Sequence, residues 1–226
     1  MEVKSLMATM TYHQTRFIFE PKREILWKTL CRYYFKKLIH PEFHVLELGA
    51  GYAYFINHVL CKKRTAVDQW PLLPRHVQAG VEARVGDVTH LEFIPDHSVD
   101  FIFASNLFEH LTRIEFSEVL IQVRQKLKPD GTLNILQPNY KRATREYFDD
   151  YTHISIYSDT SMCDFLMANG YRIIECIPGF LPLTIKSNLP IVPWLIRLYL
   201  CSPWKPLAKQ MWVRATPDHN MSERTS

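Results

Sequence analysis

The chain has 226 residues, 47% of them hydrophobic and 22% charged, with a formal net charge of +4. That length and apolar content suffice for a full core in one domain, and 13% aromatic residues argue against disorder. Lys and Arg form no dense stripe with interleaved aromatics, so nothing suggests a nucleic-acid partner.

The basic excess gathers in Lys22, Arg23, Lys28, Arg32, Lys36 and Lys37, and again in Lys205, Lys209 and Arg214. It reads either as solvated helix faces or as attraction to an anionic substrate or membrane surface. Five cysteines (Cys31, Cys61, Cys163, Cys176, Cys201) are widely spread, without CxxC or Cys/His metal spacing. A reduced, cytoplasmic protein without a metal is the simplest account. The opening MEVKSLMATMTYHQTR lacks an apolar signal core, and no run of about 18 apolar residues exists to span a membrane.

In chain order, residues 20–39 carry apolar groups at helical spacing (Ile25, Leu26, Leu30, Tyr33, Tyr34, Leu38), with Pro21 suited to a first turn. Strands then alternate with helices. FHVLEL (43–48) is a short apolar strand, followed by a helix through Phe55–Val59. RTAVD (64–68), EARVG (82–86) and VDFIFAS (99–105) are the next strands, the last buried on both faces. A helix spans 112–127, with LKPDG (127–131) as its stop, and TLNILQP (132–138) is the fifth strand. Residues 139–158 are polar and aromatic. A helix runs from Ser158 to Gly170, then come strand YRIIECI (171–177), a proline-punctuated apolar stretch (178–208), strand KQMWVRAT (209–216) and a tail expected to be flexible (217–226). This alternation predicts an α/β fold with a doubly wound, mostly parallel sheet, whose ligands bind beyond the carboxyl ends of the strands.

Those strand ends are small or acidic. Gly49 and Gly51 follow the first strand in VLELGAGYAYF, where a tight turn or a close backbone approach to a ligand calls for glycine. Asp68 ends the second strand, suited to accept from both ribose hydroxyls; Asp87 follows the third and Asn106 the fourth. The dinucleotide fingerprint would need glycine at 54, where Tyr54 stands, and no GxxxxGK[ST] phosphate loop exists. Glu47, just before the glycines, would repel a pyrophosphate and suits a cationic ligand. S-adenosylmethionine carries a sulfonium and an ammonium.

The pieces VLELGAG, AVD, GDV, VDFIFASNLFEHL and LKPDGTLNILQPN together resemble the class I S-adenosylmethionine-dependent methyltransferases of the small type called methyltransferase type 11, over roughly residues 22–177. The resemblance implies a Rossmann-like, seven-stranded sheet with an antiparallel last strand. Helical spacing sets an N-terminal helical segment within 1–40, and the length suits a single domain over 1–216. For the cofactor S-adenosylmethionine it implies roles for Glu47, Gly49, Ala50 and Gly51 at the methionine part, Asp68 with Gln69 at the ribose, Asp87 and Val88 at the adenine, and Asn106 near the sulfonium end. The family's third loop glycine is Ala53 here, a harmless exchange if its φ is negative.

Methyl transfer to a hydroxyl needs a base, and two stretches offer one: Glu109-His110, and YFDDYTH (147–153), where Asp150 could orient His153. His153 is the expected catalytic base, with Asp150 its partner. A stretch similar to YFDDYTH occurs in methyltransferases tied to sugar and surface-polysaccharide biosynthesis. No DPPY-type sequence for planar-nitrogen methylation follows the fourth strand, which runs into SNLF. The expected activity is therefore O-methylation of a small-molecule or glycan-like acceptor by in-line displacement. The alternative is a non-catalytic relative that binds the cofactor or a partner. Residues 178–208, with helical spacing around Trp194, Leu195, Arg197 and Leu198, stand open as a lid, a homodimer surface or a peripheral membrane element.

Overall fold

The structure, a computed structural model, describes residues 18–182 and 191–219. The start of the N-terminal segment, the middle of the 178–208 stretch and most of the expected flexible tail lie outside these residues. The order of elements is α1 (Pro21–Tyr33), β1 (His44–Leu48), β2 (Lys63–Asp68), β3 (Val81–Val85), β4 (Val99–Ser105), α2 (Arg113–Lys126), β5 (Leu127–Pro138), the single turn α3 (Tyr140–Ala143), α4 (Asp159–Ala168), β6 (Tyr171–Pro182), α5 (Pro193–Cys201) and β7 (Ala208–Pro217). The strands form a seven-stranded sheet in the order β3-β2-β1-β4-β5-β7-β6, with helices flanking it. The Rossmann-like, mostly parallel sheet expected from the alternation is what forms.

Contacts divide the chain into two compact units. The first holds the described residues of Met1–Val88 and Thr184–Trp204; the second holds those of Thr89–Leu183 and Lys205–Ser226. In the first, β1, β2 and β3 pair in parallel, with Glu47 opposite Ala66 and Asp68 opposite Val85. Every residue of β1 is buried, so an apolar run without alternation is what this strand needs. Helix α1 starts with Pro21 in its first turn and buries Trp27, Leu30 and Cys31. The Phe55 ring meets Trp27 edge-on at 6.0 Å and Phe35 at 4.9 Å. Ile25, expected on the inner face, is exposed, and helix α1 ends at Tyr33, ahead of a 3-10 turn over Phe35–Lys37.

In the second unit β4 pairs in parallel with β5, and β7 lies antiparallel between β5 and β6. The reversed last strand is the one the family resemblance implied. Helix α2 opens on a capping box in which Thr112 accepts from the Glu115 N–H and Glu115 reaches back to Thr112 N–H. Such a cap contributes about 1 kcal/mol. Helix α4 repeats the device with Ser158 and Ser161.

Three local expectations fail. No helix forms over Phe55–Val59; residues 51–58 are a string of turns. Ala53 lies at φ +57°, outside the right-handed region a helix requires, and Tyr52, Tyr54, Phe55 and Ile56 are weak helix formers. Helix α2 does end at LKPDG, but no separate stop lies between it and the next strand: the helix passes straight into β5, which starts at Leu127 and not at Thr132. Gly131 is required by close approach instead, because a Cβ there would lie 3.0 Å from the carbonyl oxygens of Lys128 and Val99. Finally, the 178–208 stretch is not one insertion. Residues 178–182 continue β6, and helix α5 forms further on.

Candidate functional site

The first unit gathers the expected cofactor residues at the carboxyl ends of β1, β2 and β3. Gly49 and Gly51 have φ of +67° and +51°, the left-handed conformation that the sequence assigned to them. The N–H groups of Gly49 and Ala50 both donate to the Val67 carbonyl, at 2.9 and 3.1 Å. The Gly51 N–H donates to Asp68 Oδ2 at 2.7 Å, and the Trp70 N–H to Asp68 Oδ1 at 2.8 Å. The loop is thus sewn to the end of β2, and both oxygens of Asp68 are held in place. Gln69 Nε2 donates to Asp87 Oδ2 at 2.8 Å, joining the ends of β2 and β3 beside buried Val88.

Glu47 is buried and accepts the Ile56 N–H at 3.1 Å. Burial pushes its carboxyl well above the usual range, the Ile56 N–H opposes this, and the charge of Asp68 adds to it. Burial raises Asp68 as well, against the two N–H groups it accepts. Among the described residues neither acid is in an ion pair. Ala53 is the surprise in the loop: its φ is positive, so the third glycine is replaced by a residue in a conformation that costs an L-residue about 1 kcal/mol. Trp70 and His76 stack at 4.8 Å beside it and Tyr52 meets both edge-on, a cluster that no spacing or motif announces.

The second unit brings together the two stretches proposed as sources of a base. Beyond β4, Asn106 has φ +50°, donates its N–H to the Leu136 carbonyl and accepts from Gln210 Nε2 at 2.8 Å. A 3-10 turn over Phe108–His110 follows. The Ile154 and Ser155 N–H groups donate to the Glu109 carbonyl, and Ser155 Oγ donates to the Leu111 carbonyl. These bonds dock 150–155 onto the turn. His110 and His153 then lie 4.8 Å apart between ring centroids.

Their environments fix the tautomers. His153 Nδ1 bonds the Tyr147 carbonyl, so it carries the proton there and its basic nitrogen is Nε2, 4.0 Å from Glu109 Oε1. His110 Nδ1 faces the carbonyl and Oγ1 of Thr152, and Thr152 Oγ1 donates to Asp150 Oδ1 at 2.6 Å. The expected orienting role of Asp150 therefore reaches His110 through Thr152, while the orienting acceptor at His153 is the Tyr147 carbonyl. Burial and the neighbouring His153 push His110 down to about 4. Burial pulls Asp150 up, but the bonds from Thr152 and the two imidazoles outweigh it and leave it below its ordinary value. Glu109 is fully buried, both its oxygens lack a hydrogen-bond partner among the described residues, and burial raises it to about 8. Sequence reading set Glu109 beside His110 but gave no sign that it was buried without partners.

Solved structures with this fold are numerous. A chain of the complex between the Haloferax volcanii Trm112 methyltransferase activator and a methyltransferase aligns with a TM-score of 0.68 at 13% identity, over 88% of this chain and 93% of that one. An S-adenosylmethionine-dependent methyltransferase from Archaeoglobus fulgidus aligns with 0.63 at 20% identity, over 92% and 98%. One from Aquifex aeolicus aligns with 0.61 at 18% identity, over 87% and 93%. At these identities the likeness is one of fold. None of the curated proteins compared with the chain matches it in sequence. The family model described as "Methyltransferase domain" matches residues 46–135.

Residues 46–135 match a methyltransferase domain, on a fold shared with S-adenosylmethionine-dependent methyltransferases.

The residues of the methyltransferase fit that cofactor. Burial disfavours the charged forms of Glu47 and Asp68, and a cationic ligand at the loop would restore them where a phosphate would not. Each Asp68 oxygen uses one lone pair on a backbone N–H and has a second that a diol hydroxyl would fit. No described helix of the methyltransferase is long and apolar enough to cross a membrane.

Proposed function

We propose that this methyltransferase transfers the methyl group to an oxygen of a small-molecule or glycan-like acceptor, with His153 as the base. The observation that supports it is the His153 ring held by the Tyr147 carbonyl, which leaves Nε2 as the nitrogen able to take a hydroxyl proton. Asp150 acts on the same cluster through Thr152. Bound S-adenosylmethionine supplies an electrophilic methyl carbon on a sulfonium. The chain's part is to hold the acceptor oxygen in line and remove its proton. We assign Glu47, Gly49, Ala50 and Gly51 to the methionine part, Asp68 and Gln69 to the ribose, Asp87 and Val88 to the adenine, and Asn106 to the sulfonium end, all within a single domain over 1–216. We also propose a cytoplasmic setting, in which five widely spread cysteines stay reduced.

The test is a cell extract incubated with the enzyme and methyl-labelled cofactor, then fractionated. Label as an O-methyl group on a small molecule or glycan is expected. Label confined to protein or nucleic acid would overturn this reading.

Helix α5 supports a membrane-surface role for the acceptor side. None of its residues is buried, Trp194 and Leu198 are 68% and 60% exposed, and Trp204 beyond it is 76% exposed. Arg197 packs over the Tyr33 ring at 5.2 Å, so this apolar surface borders the basic helix α1. Aromatics beside cations suit an anionic lipid interface and a lipid-linked acceptor. Co-sedimentation is expected with phosphatidylglycerol vesicles and not with phosphatidylcholine, and the W194A/L198A/W204A variant should stay in the supernatant. Equal sedimentation of wild type and variant would sink the idea.

A further inference from the structure

The cluster around Glu109 poses a problem that a proton-transfer role does not solve. A fully buried carboxyl has neither oxygen hydrogen-bonded among the described residues, which proteins rarely tolerate. Protonation alone gives it no acceptor, since His153 Nε2 lies at 4.0 Å, beyond hydrogen-bond reach. One ligand atom from each of Glu109, His110 and His153 falls within 4.8 Å of the other two. We propose that Glu109, His110 and His153 form a three-ligand site for a divalent transition metal ion of the zinc, iron or cobalt kind.

Four features support it. Two imidazoles and one carboxylate are the donor set that such ions take, and the carboxylate offsets part of the ion's charge. Each ring is oriented by a bond at its other nitrogen: His153 Nδ1 to the Tyr147 carbonyl, His110 Nδ1 to Thr152. That is the outer support by which metal-binding histidines are held, and it makes Nε2 the nitrogen of each ring that would coordinate. Asp150 extends the support at His110 through the Thr152 hydroxyl. Finally, three protein ligands leave a coordination position for water or an acceptor oxygen. Ligands about 2.0–2.2 Å from an ion stand roughly 3.3 Å apart, so the side chains would close in by about 1.5 Å, within the range of small rotamer changes.

This goes beyond the assignment of His153 as base and does not rest on it. An ion on Nε2 takes up the lone pair which that role needs, and would itself acidify an oxygen bound to it.

The test uses full-length protein stripped with a chelator and titrated with Co²⁺, read by its visible d–d absorption and by elemental analysis after gel filtration. One ion per chain is expected, with the intense spectrum of a four- or five-coordinate site, displaced by Zn²⁺. Glu109→Gln, which keeps the side chain's shape, and His153→Asn should each weaken binding at least about tenfold, and Thr152→Ala about tenfold through the lost support. Thermal melts of the stripped variants show that they fold. A wild type that binds no Co²⁺, or binding unchanged in Glu109→Gln and His153→Asn, would overturn the proposal. No step depends on methyl transfer, so its failure and that of the base assignment are told apart.

Discussion

Replacing His153 by asparagine is expected to lower turnover by about two to four orders of magnitude, the usual worth of a positioned base. Affinity for S-adenosylhomocysteine should stay within about twofold, because the bonds that order the cofactor loop, Gly49 N–H to the Val67 carbonyl and Gly51 N–H to Asp68, do not pass through His153. Asparagine is the informative choice: its amide N–H can still donate to the Tyr147 carbonyl that His153 Nδ1 bonds now. The loop over 147–153 then keeps its anchor while the basic nitrogen is lost. His153→Ala should behave alike in turnover but also loosen the loop. The comparison is made on chelator-treated protein, so that an ion at the cluster plays no part. Turnover of both variants at the wild-type level would remove His153 from the mechanism.

The second large effect is expected at Asp68. Asp68→Ala should weaken S-adenosylhomocysteine binding about 100-fold, as expected for charged hydrogen bonds worth about 3 kcal/mol in all. The same change strips the acceptor from the Gly51 and Trp70 N–H groups, so some of the loss would come from a loosened loop. Asp68→Glu separates the two. It keeps the charge but moves it by a methylene, and should recover loop order in hydrogen exchange more than it recovers affinity. Isothermal titration of both variants checks this; affinity in Asp68→Ala within twofold of wild type would exclude the ribose role.

The strands were legible because burial left its mark on composition. β1 and β4 are short apolar runs, β2 is buried over Thr65–Val67, and the residues at their ends are those that a turn beyond a parallel strand favours. The turns over 51–58 were not legible, since nothing in the letters around Ala53 announces a positive φ. Nor was the length of β6. Pro178 and Pro182 read as punctuation, yet β6 is the sheet's edge and pairs only with β7, where a missing N–H is tolerated. Of the site, the acids and glycines at the ends of β1 to β3 could be read because each lies just after its own strand. The meeting of Glu109 and His110 with 150–155 could not, because it depends on two backbone bonds to the Glu109 carbonyl across some forty residues of chain.

The place of β7 governs how the protein can be made. It is the last of the described strands in sequence, yet it lies between β5 and β6, with Leu133 opposite Ala215 and Ile173 opposite Ala215 from the other side. As a ribosome delivers the chain, β5 and β6 emerge without the neighbour that joins them. Both must wait with an open edge until Ala208–Pro217 arrives. A nascent chain paused before that point exposes apolar strand edges to other nascent chains, and a holding chaperone would find its grip there.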